Sequence, residues 1–168
     1  INCESIRLPA SHFPVPATHN ETDAMAAPNA RRLLRCVIVT PEKTVLDLQA
    51  ATVLLPLDDG SRGVAAGHTP FIGRLGSGEV RMAGVEGRAG ADTTVRTFVE
   101  GGFVEVSAAG VTVITQRAVD SATLDPAAAK AELGRLQAET ATGDEAIAAR
   151  MAAETVARAR LRAAERRG

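Results

Sequence analysis

Three groups of side chains in this sequence have the chemistry of a catalytic or binding site. His68 follows Gly67 in a glycine-rich stretch, and an imidazole can act as a general base or as a pH switch near neutrality. Asp58 and Asp59 precede Gly60, and paired carboxylates can bind a divalent cation. The third group consists of arginines near the C-terminal end: Arg158, Arg160, Arg162, Arg166 and Arg167.

The first two groups lack the neighbours that catalysis or a metal site requires. No cysteine or serine nucleophile stands beside His68, and Asp58 and Asp59 lack the further oxygen ligands of a calcium-binding loop. Gly76 and Gly78 lead into a strand-like run rather than a helix, so they do not form a phosphate-binding loop. These patterns favour a structural or interface role for His68 and a solvated turn or partner contact for the aspartates. A small enzyme using His68 with Asp58 or Asp59 remains an alternative.

The arginines can be interpreted in two main ways. Arg158, Arg162 and Arg166 lie four residues apart and therefore form one ridge on a helix. The ridge is either a solvated face balanced by Glu154 and Glu165, or a surface that docks on an acidic partner. Nucleic-acid binding is weakened as a third interpretation because the net charge is −1 and aromatic residues make up 2% of the chain.

Composition predicts an aliphatic core in a chain of 168 residues. The apolar fraction is 45%, so Val, Leu, Ile and Ala must fill the interior, with Phe71, Phe98 and Phe103 as the bulky residues. The two cysteines, Cys3 and Cys36, make neither a disulfide framework nor a metal cluster, which favours a reducing compartment. No apolar run approaches the roughly 20 residues of a membrane span, so we expect any membrane association to go through a partner.

The sequence divides into three parts. Residues 1–30 are rich in proline without apolar periodicity, which predicts a disordered leader, and Met25 is a plausible true initiator. Residues 31–118 carry short β-branched and aliphatic runs at close spacing, which predicts a β-sandwich domain of antiparallel strands. Residues 119–168 are rich in Ala, Glu and Arg, which predicts a C-terminal two-helix hairpin.

Glycines mark two special stretches of the β domain. From Gly63 to Arg81 they recur too closely for one long strand, so we expect a connection with positive φ angles between strand-like segments. At Gly101-Gly102 we expect a bulge or tight turn between two extended segments.

Two helix starts can be identified in the C-terminal part. Asp125-Pro126 has a capping side chain followed by proline in the first turn. The run from Thr142 to Glu145 has the spacing of a capping box and predicts the start of a second helix. Since the apolar stripe is thin and mostly alanine, we expect the hairpin to be mobile relative to the sandwich unless something holds it.

These elements, with several short motifs in the same order, resemble the epsilon subunit of the F-type rotary ATP synthase from about Leu33 to the C-terminus. The motifs are V-T-P-E (Val39–Glu42), G-H-T-P-F-I-G-R-L-G-S-G (Gly67–Gly78), G-G-F-V-E-V (Gly101–Val106) and L-D at Leu124-Asp125. The resemblance implies a non-catalytic rotor subunit of a proton-translocating synthase that couples rotation to ATP synthesis and restrains hydrolysis through its C-terminal helices. It also implies a peripheral position on the cytoplasmic face of the bacterial inner membrane.

The resemblance further implies partners for each candidate group. Asp58, Asp59 and Gly60 match the loop that faces the c-ring, and Gly67-His68 matches a region near the gamma subunit. The arginines match a final helix that can transiently approach the alpha/beta catalytic head. Neither a cofactor nor a metal is implied, because Ala128 replaces the arginine of the L-D-x-x-R-A motif with which some members bind ATP. The alternative is a stand-alone β-sandwich module whose basic hairpin docks an acidic partner protein, and the coupling ion, H⁺ or Na⁺, is left open.

Overall fold

A computed structural model describes residues 32–88 and 94–166, which belong to one compact unit. The expected leader, Met25, Cys3 and Arg167 lie outside the described residues. The strands are β1 Leu34–Val39, β2 Thr44–Ala50, β3 Thr52–Leu57, β4 Gly60–Ala65, β5 Phe71–Ala83, β6 Val95–Ser107, β7 Gly110–Ile114 and β8 Ala118–Asp120. A 3₁₀ turn at Ser121–Thr123 leads into helices α1 Pro126–Ala138 and α2 Asp144–Glu165.

The strands form one sheet that folds over into a sandwich. Its order is β2-β1-β7-β6-β5-β3-β4, and β8 pairs with β6 outside this path. The long strand β6 pairs with β7 from Phe103 to Ser107 and with β8 from Thr97 to Val99, so its two halves have different neighbours. Alternate side chains from β1 to β7 meet in one cluster, which confirms the predicted sandwich with an aliphatic core.

The phenylalanines are distributed differently from the prediction. Phe98 is buried, but it packs in a second cluster against the helices instead of in the main core. Phe103, expected in the interior, is 57% exposed, so that expectation is wrong. Side chains alternate between the two faces of a strand, and the main-core positions of this half of β6 are taken by Val104 and Val106.

One pairing departs from the antiparallel prediction. Strands β1 and β7 run parallel, with Cys36 opposite Val111 and Val39 opposite Ile114. Parallel neighbours need a long intervening connection, and here β2 to β6 supply it. The direction of such a distant pairing has no local signal in the sequence.

The first glycine stretch was predicted to be a connection between strand-like segments. That prediction is wrong, because most of the stretch lies in the single strand β5 of 13 residues. Of the five glycines from Gly63 to Gly78, Gly67 is the one with a positive φ, at 86°. Gly78 is required by a close approach instead, since a Cβ there would lie 2.9 Å from Cβ of Pro56 on β3. Strand β4, which the sequence prediction missed, buries only Val64 and lies at the sheet edge.

The second glycine pair marks an irregularity inside a continuous strand. Gly101 and Gly102 have φ values of 71° and 119°, and β6 continues through both. A Cβ on Gly102 would collide with the carbonyl oxygen of Ile114, so glycine is required there. The register between β5 and β6 is the same before and after this point, and β6 changes its second neighbour from β8 to β7 here.

The helix starts were predicted with mixed success. Asp125 caps α1 as expected, because its side chain accepts a hydrogen bond from the Ala127 N–H at 2.9 Å, with Pro126 in the first turn. The capping box at Thr142 is wrong: the N-cap of α2 is Gly143, with φ of 94° and no side-chain cap. Asp144 and Glu145 instead place carboxylates in the first turn, where they interact favourably with the helix dipole.

The hairpin lies against the sandwich. Helix α2 contacts β5 and β6, and Phe98 packs with Leu124, Ala163 and Ala164. Each buried alanine methyl contributes about 0.8 kcal/mol, and the buried Phe98 and Leu124 side chains about 1.5–3 kcal/mol each. This apolar cluster and the ion pairs of Arg160 are the contacts that hold the hairpin in place.

Candidate functional site

The acidic turn lies at the tip of the β3–β4 hairpin, where Leu57 pairs with Gly60. Asp58 forms an ion pair with Arg74 at 3.0 Å, and Asp59 lies 4.0 Å from Arg62. The turn is exposed, but each carboxylate has an arginine beside it, so its local charge is balanced. An exposed turn whose carboxylates already have arginine partners suits contact with a protein partner better than binding of a cation.

The Gly67-His68 turn joins β4 to β5. The His68 N–H donates to the Ala65 carbonyl at 3.1 Å, and Nδ1 lies 2.8 Å from the Thr69 carbonyl oxygen. Because a carbonyl can only accept, Nδ1 carries the proton and Nε2 remains available. In the part of the chain that the structure describes, no carboxylate bonds the His68 ring, so the pairing with Asp58 or Asp59 that an enzyme would use is not formed.

Phe71 connects the two turns. Its ring centroid lies 5.5 Å from that of His68, and the Arg62 guanidinium lies 5.0 Å from the Phe71 centroid. Since Arg62 also approaches Asp59, the contacts run from the acidic turn to the histidine turn. The two sites that the sequence suggested separately are therefore parts of one continuous edge of the sandwich.

An exposed apolar patch, missed in the sequence prediction, lies on the same part of the sheet. Ile72, Phe103 and Ile114 are 78%, 57% and 52% exposed, and Phe103 pairs directly with Ile114. Directly opposed residues share a face of the sheet, here the face turned away from the core. The signal was present in the sequence as apolar residues at the positions that alternate with the buried ones.

The C-terminal arginines do not form one surface. Arg160 points inward, with its side chain 19% exposed, and bonds both Glu100 on β6 and Glu132 on α1, the latter at 2.7 Å. Arg158 is exposed and bonds Glu154 within α2 at 3.1 Å. Arg162 and Arg166 line a cavity between α2 and the sheet. The inward role of Arg160 has no signal in the sequence, because its partners lie 60 and 28 residues away.

A buried carboxylate on β5 was also missed. Glu79 is 5% exposed in its side chain, and its Oε2 accepts bonds from Arg81 Nε at 3.1 Å and Nη2 at 2.8 Å. Its Oε1 is buried and has no hydrogen-bond partner among the described residues. Glu79 and Arg81 stand two apart on a strand, a spacing that places them on one face and could have been read from the sequence.

Cys36 is buried in the core, and burial, followed by the nearby Asp47 carboxylate, raises the pKa of its thiol to about 12. A thiol in this state is not a nucleophile at neutral pH. Within 32–88 and 94–166, no group of three or more His, Cys, Asp or Glu residues is arranged to hold a metal ion. No helix in those ranges is both long and apolar enough to cross a membrane.

These features define a class of protein: a β-sandwich domain carrying a two-helix tail that packs against it. Residues 33–121, just over half of the chain, match the model of the ATP synthase Delta/Epsilon chain beta-sandwich domain. The chain therefore belongs to the ATP synthase delta/epsilon chain family.

Curated relatives extend the match beyond the sandwich. The chain is 47% identical over 92 residues to the ATP synthase epsilon chain of Rhodopirellula baltica, covering 55% of this chain and 67% of that one. It is 35% identical over 135 residues to the ATP synthase epsilon chain of Bordetella avium, covering 74% and 91%. The latter alignment is longer than the family-model match and covers most of that relative.

A solved structure shares the fold. A chain in the cryo-EM structure of the Euglena gracilis mitochondrial ATP synthase, comprising OSCP, F1 and the c-ring, superimposes with a TM-score of 0.62 at 21% identity. The match covers 89% of this chain and 92% of that one. A sandwich followed by two helices is thus the architecture of both proteins.

Proposed function

We propose that this chain is the central-stalk epsilon subunit of a proton-translocating F-type ATP synthase. It is a non-catalytic subunit that couples rotation to ATP synthesis through its sandwich and restrains ATP hydrolysis through its C-terminal helices. Family membership supports the assignment to the synthase, and the unpaired state of His68 with respect to Asp58 and Asp59 supports a binding role over an enzymatic one.

The edge formed by the two turns and the apolar patch suits two partners. Asp58, Asp59 and Gly60 contact the c-ring, and the turn at Gly67-His68 contacts the gamma subunit. The patch of Ile72, Phe103 and Ile114 extends the gamma contact, because Ile72 lies four residues beyond His68 and close to the acidic turn. A stable contact between subunits buries about 1,200–2,000 Å² in total, which two short turns alone do not supply.

The tail acts as a brake because its attachment is reversible. The single observation that carries this proposal is the bridge from Arg160 to Glu100 and Glu132, which joins α2, the sandwich and α1 through partly exposed ion pairs. Such pairs contribute little net free energy, since each charge regains water on release. An acidic surface on the alpha/beta catalytic head can therefore compete for Arg158, Arg160, Arg162, Arg166 and Arg167.

This function places the protein at the cytoplasmic face of the bacterial inner membrane. It is held there peripherally, through the gamma subunit and the c-ring. The curated relatives from bacteria support this location. Ala128 is exposed in the first turn of α1, where it offers no charged group to a nucleotide, and the proposal therefore includes no ATP sensing.

The test uses a soluble ATP synthase head that contains gamma but lacks epsilon. The full chain is added, and both binding and the rate of ATP hydrolysis are recorded. We expect stoichiometric binding and slower hydrolysis. A variant carrying Arg158→Ala, Arg162→Ala and Arg166→Ala should bind equally well, because the sandwich is unchanged, and should inhibit less.

Two results would contradict parts of the proposal. Failure of the full chain to bind any cognate head would remove the rotor assignment and favour the stand-alone module. Binding with equal inhibition by the triple variant would keep the rotor assignment and remove these arginines from the brake.

A further inference from the structure

A cavity of about 230 Å³ lies between α2 and the sheet, away from the two turns and the apolar patch, and shares Arg162 and Arg166 with the C-terminal arginines. Its polar lining consists of Ser61, Ser77, Glu79, Arg81, Arg162 and Arg166. Its helix side is formed by residues at positions 159, 162, 163 and 166, a single stripe at helical spacing. The cavity exists only while α2 is docked, because both walls are needed to form it.

The sheet side of the cavity directs charged groups at the helix. Glu79 pairs directly with Phe98, and Phe98 packs against Ala163 and Ala164 of α2. Directly opposed residues share a face, so Glu79 also faces the helix, and Arg81, two residues further on, does the same. The orientation of both side chains into the cavity therefore follows from the sheet register.

The lining has both an excess of positive charge and an unused acceptor. Three guanidinium groups against one carboxylate leave a net charge of +2. Within 32–88 and 94–166, no carboxylate pairs with Arg162 or Arg166. Glu79 Oε1 is buried without a donor, and an unsatisfied buried acceptor costs about 1–3 kcal/mol. A ligand that satisfies all of these groups must be an anion that also carries a hydrogen-bond donor.

The C-terminal carbonyls of α2 carry partial negative charge, which disfavours an anion at this end of the helix. Arg96 Nη1 donates to the Arg166 carbonyl at 3.0 Å and supplies positive charge at this end. The side chains of Arg162 and Arg166 line the cavity and carry full positive charges, whereas the helix end carries only partial negative charge. The local balance therefore still favours an anion.

The volume of the cavity indicates how large a ligand it can enclose. At about 30 Å³ for each water, the cavity has room for roughly eight waters, and it is smaller than the about 300–1,000 Å³ of sites that enclose drug-sized molecules. A tetrahedral oxyanion with a few waters fits this volume. Hydrogen phosphate combines this size with two negative charges and one O–H group at neutral pH.

We propose that the cavity between α2 and β5 binds hydrogen phosphate, with its oxygens on Arg162, Arg166 and Arg81 and its O–H donated to Glu79 Oε1. The ion bridges the sheet and the helix, so it binds the docked hairpin and not the released one, and it stabilises docking by mass action. The site goes beyond the proposed function and does not depend on it, because binding is a property of the isolated chain.

Sulfate is the matched control ligand. It has the same shape and charge as hydrogen phosphate but carries no proton at neutral pH, so it would place an acceptor against the Glu79 carboxylate. Calorimetric titration of the full chain at about pH 7.5 and constant ionic strength should show phosphate binding, with sulfate weaker by about tenfold or more. Amide hydrogen exchange in α2 should slow with phosphate and not with sulfate.

Two variants and one control locate the ion. Arg162→Ala, a change at an exposed position, should weaken phosphate binding by about tenfold. Glu79→Gln should lose the preference for phosphate over sulfate, because an amide can donate to either ion. Arg158→Ala, whose guanidinium bonds Glu154 outside the cavity, should leave phosphate binding unchanged.

The outcomes decide the proposal without reference to the synthase. No binding of phosphate at millimolar concentration, or equal binding of phosphate and sulfate, would overturn it. So would an effect of Arg158→Ala as large as that of Arg162→Ala, since this would indicate general charge attraction to the helix. If Glu79→Gln fails to fold, Arg162→Ala and the sulfate comparison still decide the result.

Discussion

At the scale of single residues, the room available to a side chain and its exposure to water are set by neighbours that lie far away in the sequence. Gly78 faces Pro56 across the β3–β5 contact, and Cys36 is enclosed between β2 and β7. Neither residue has a chemical role, but each sets a measurable property of the fold. Two predictions follow from their surroundings.

The first concerns Gly78. In Gly78→Ala the new methyl would lie 2.9 Å from Pro56 Cβ, closer than two carbons can approach, so the strands must shift. We expect a loss of about 1–3 kcal/mol in the free energy of unfolding, as for other overpacked sites. Urea unfolding measures it. Gly63→Ala on β4 is the control, because nothing lies within 4 Å of its Cβ and its φ is ordinary. Equal losses in both variants would contradict the steric argument.

The second concerns Cys36 and alkaline pH. Its folded-state pKa of about 12 lies above the ordinary 9.0, so the unfolded chain releases the thiol proton first as pH rises. The contribution of the Cys36 thiol to the free energy of unfolding is therefore fully present below about pH 9 and is lost as the pH rises above it. From about pH 8 to about pH 10.5, the free energy of unfolding should fall by about 2 kcal/mol more in the wild type than in Cys36→Ala. Parallel falls in the two proteins would show that the thiol is not the cause.

At the scale of elements, the sequence predicted what depends on neighbouring residues. The β-branched and aliphatic run of β1, and the cap and proline at Asp125-Pro126, are local patterns, and the corresponding elements formed as expected. The second half of the 13-residue strand β5 was predicted as a strand-like run, but its first half was missed because glycines there serve close packing across strands, which composition does not distinguish from turns. The direction of β1 beside β7 was missed because it depends on chain closure.

The candidate site was predictable to a similar extent. The exposed turns at Asp58-Asp59 and Gly67-His68 lie where the sequence placed them, and their assigned partners remain predictions. The sequence did not predict the inward orientation of Arg160, since its two carboxylate partners come from β6 and α1. Helical spacing defines a face but does not indicate which face the sheet covers.

The bridge through Arg160 leads to a prediction about helix docking. Arg160→Ala leaves Glu100 and Glu132 without their shared cation at a partly buried position, which should cost about 1–3 kcal/mol. Amide exchange in α2 should then be about tenfold faster or more, while the amides of β1 and β7 keep their protection. Arg158→Ala removes only a pair within the helix, worth about 0.3–0.5 kcal/mol, and is the matched control. Unchanged exchange in α2 of Arg160→Ala would show that the apolar cluster alone holds the hairpin.

At the scale of the whole molecule, two separate regions of the sheet's outer surface have different occupants. The region around Phe98 is covered by α2, whereas the region around Phe103 carries the exposed patch of Ile72, Phe103 and Ile114. Phe98 and Phe103 lie on either side of Gly101-Gly102, and both point away from the main core, in which their neighbours Val99 and Val104 are buried. The tail can therefore leave or return without uncovering the patch, so that a permanent partner and a regulatory one need not compete.

This separation gives the last prediction, which tests the patch as the permanent contact. Ile72→Ser with Phe103→Ser removes exposed apolar surface, so the free energy of unfolding should change by less than about 1 kcal/mol. Binding to a synthase head that contains gamma should weaken by about tenfold to a hundredfold, because buried apolar anchors dominate interface energetics. Met151→Ser, at another exposed apolar residue but on α2, should bind normally.

The comparison of these variants distinguishes docking through the patch from docking through the tail. Loss of binding in the patch variant, with normal binding by Met151→Ser, means that the sandwich docks whether the tail is docked or released. The reverse result would assign docking to the tail and contradict the patch. Equal weakening in both variants would require a partner that spans both the tail and the patch, which contradicts independent docking and braking. Surface plasmon resonance with the immobilised head measures all three dissociation constants under one condition.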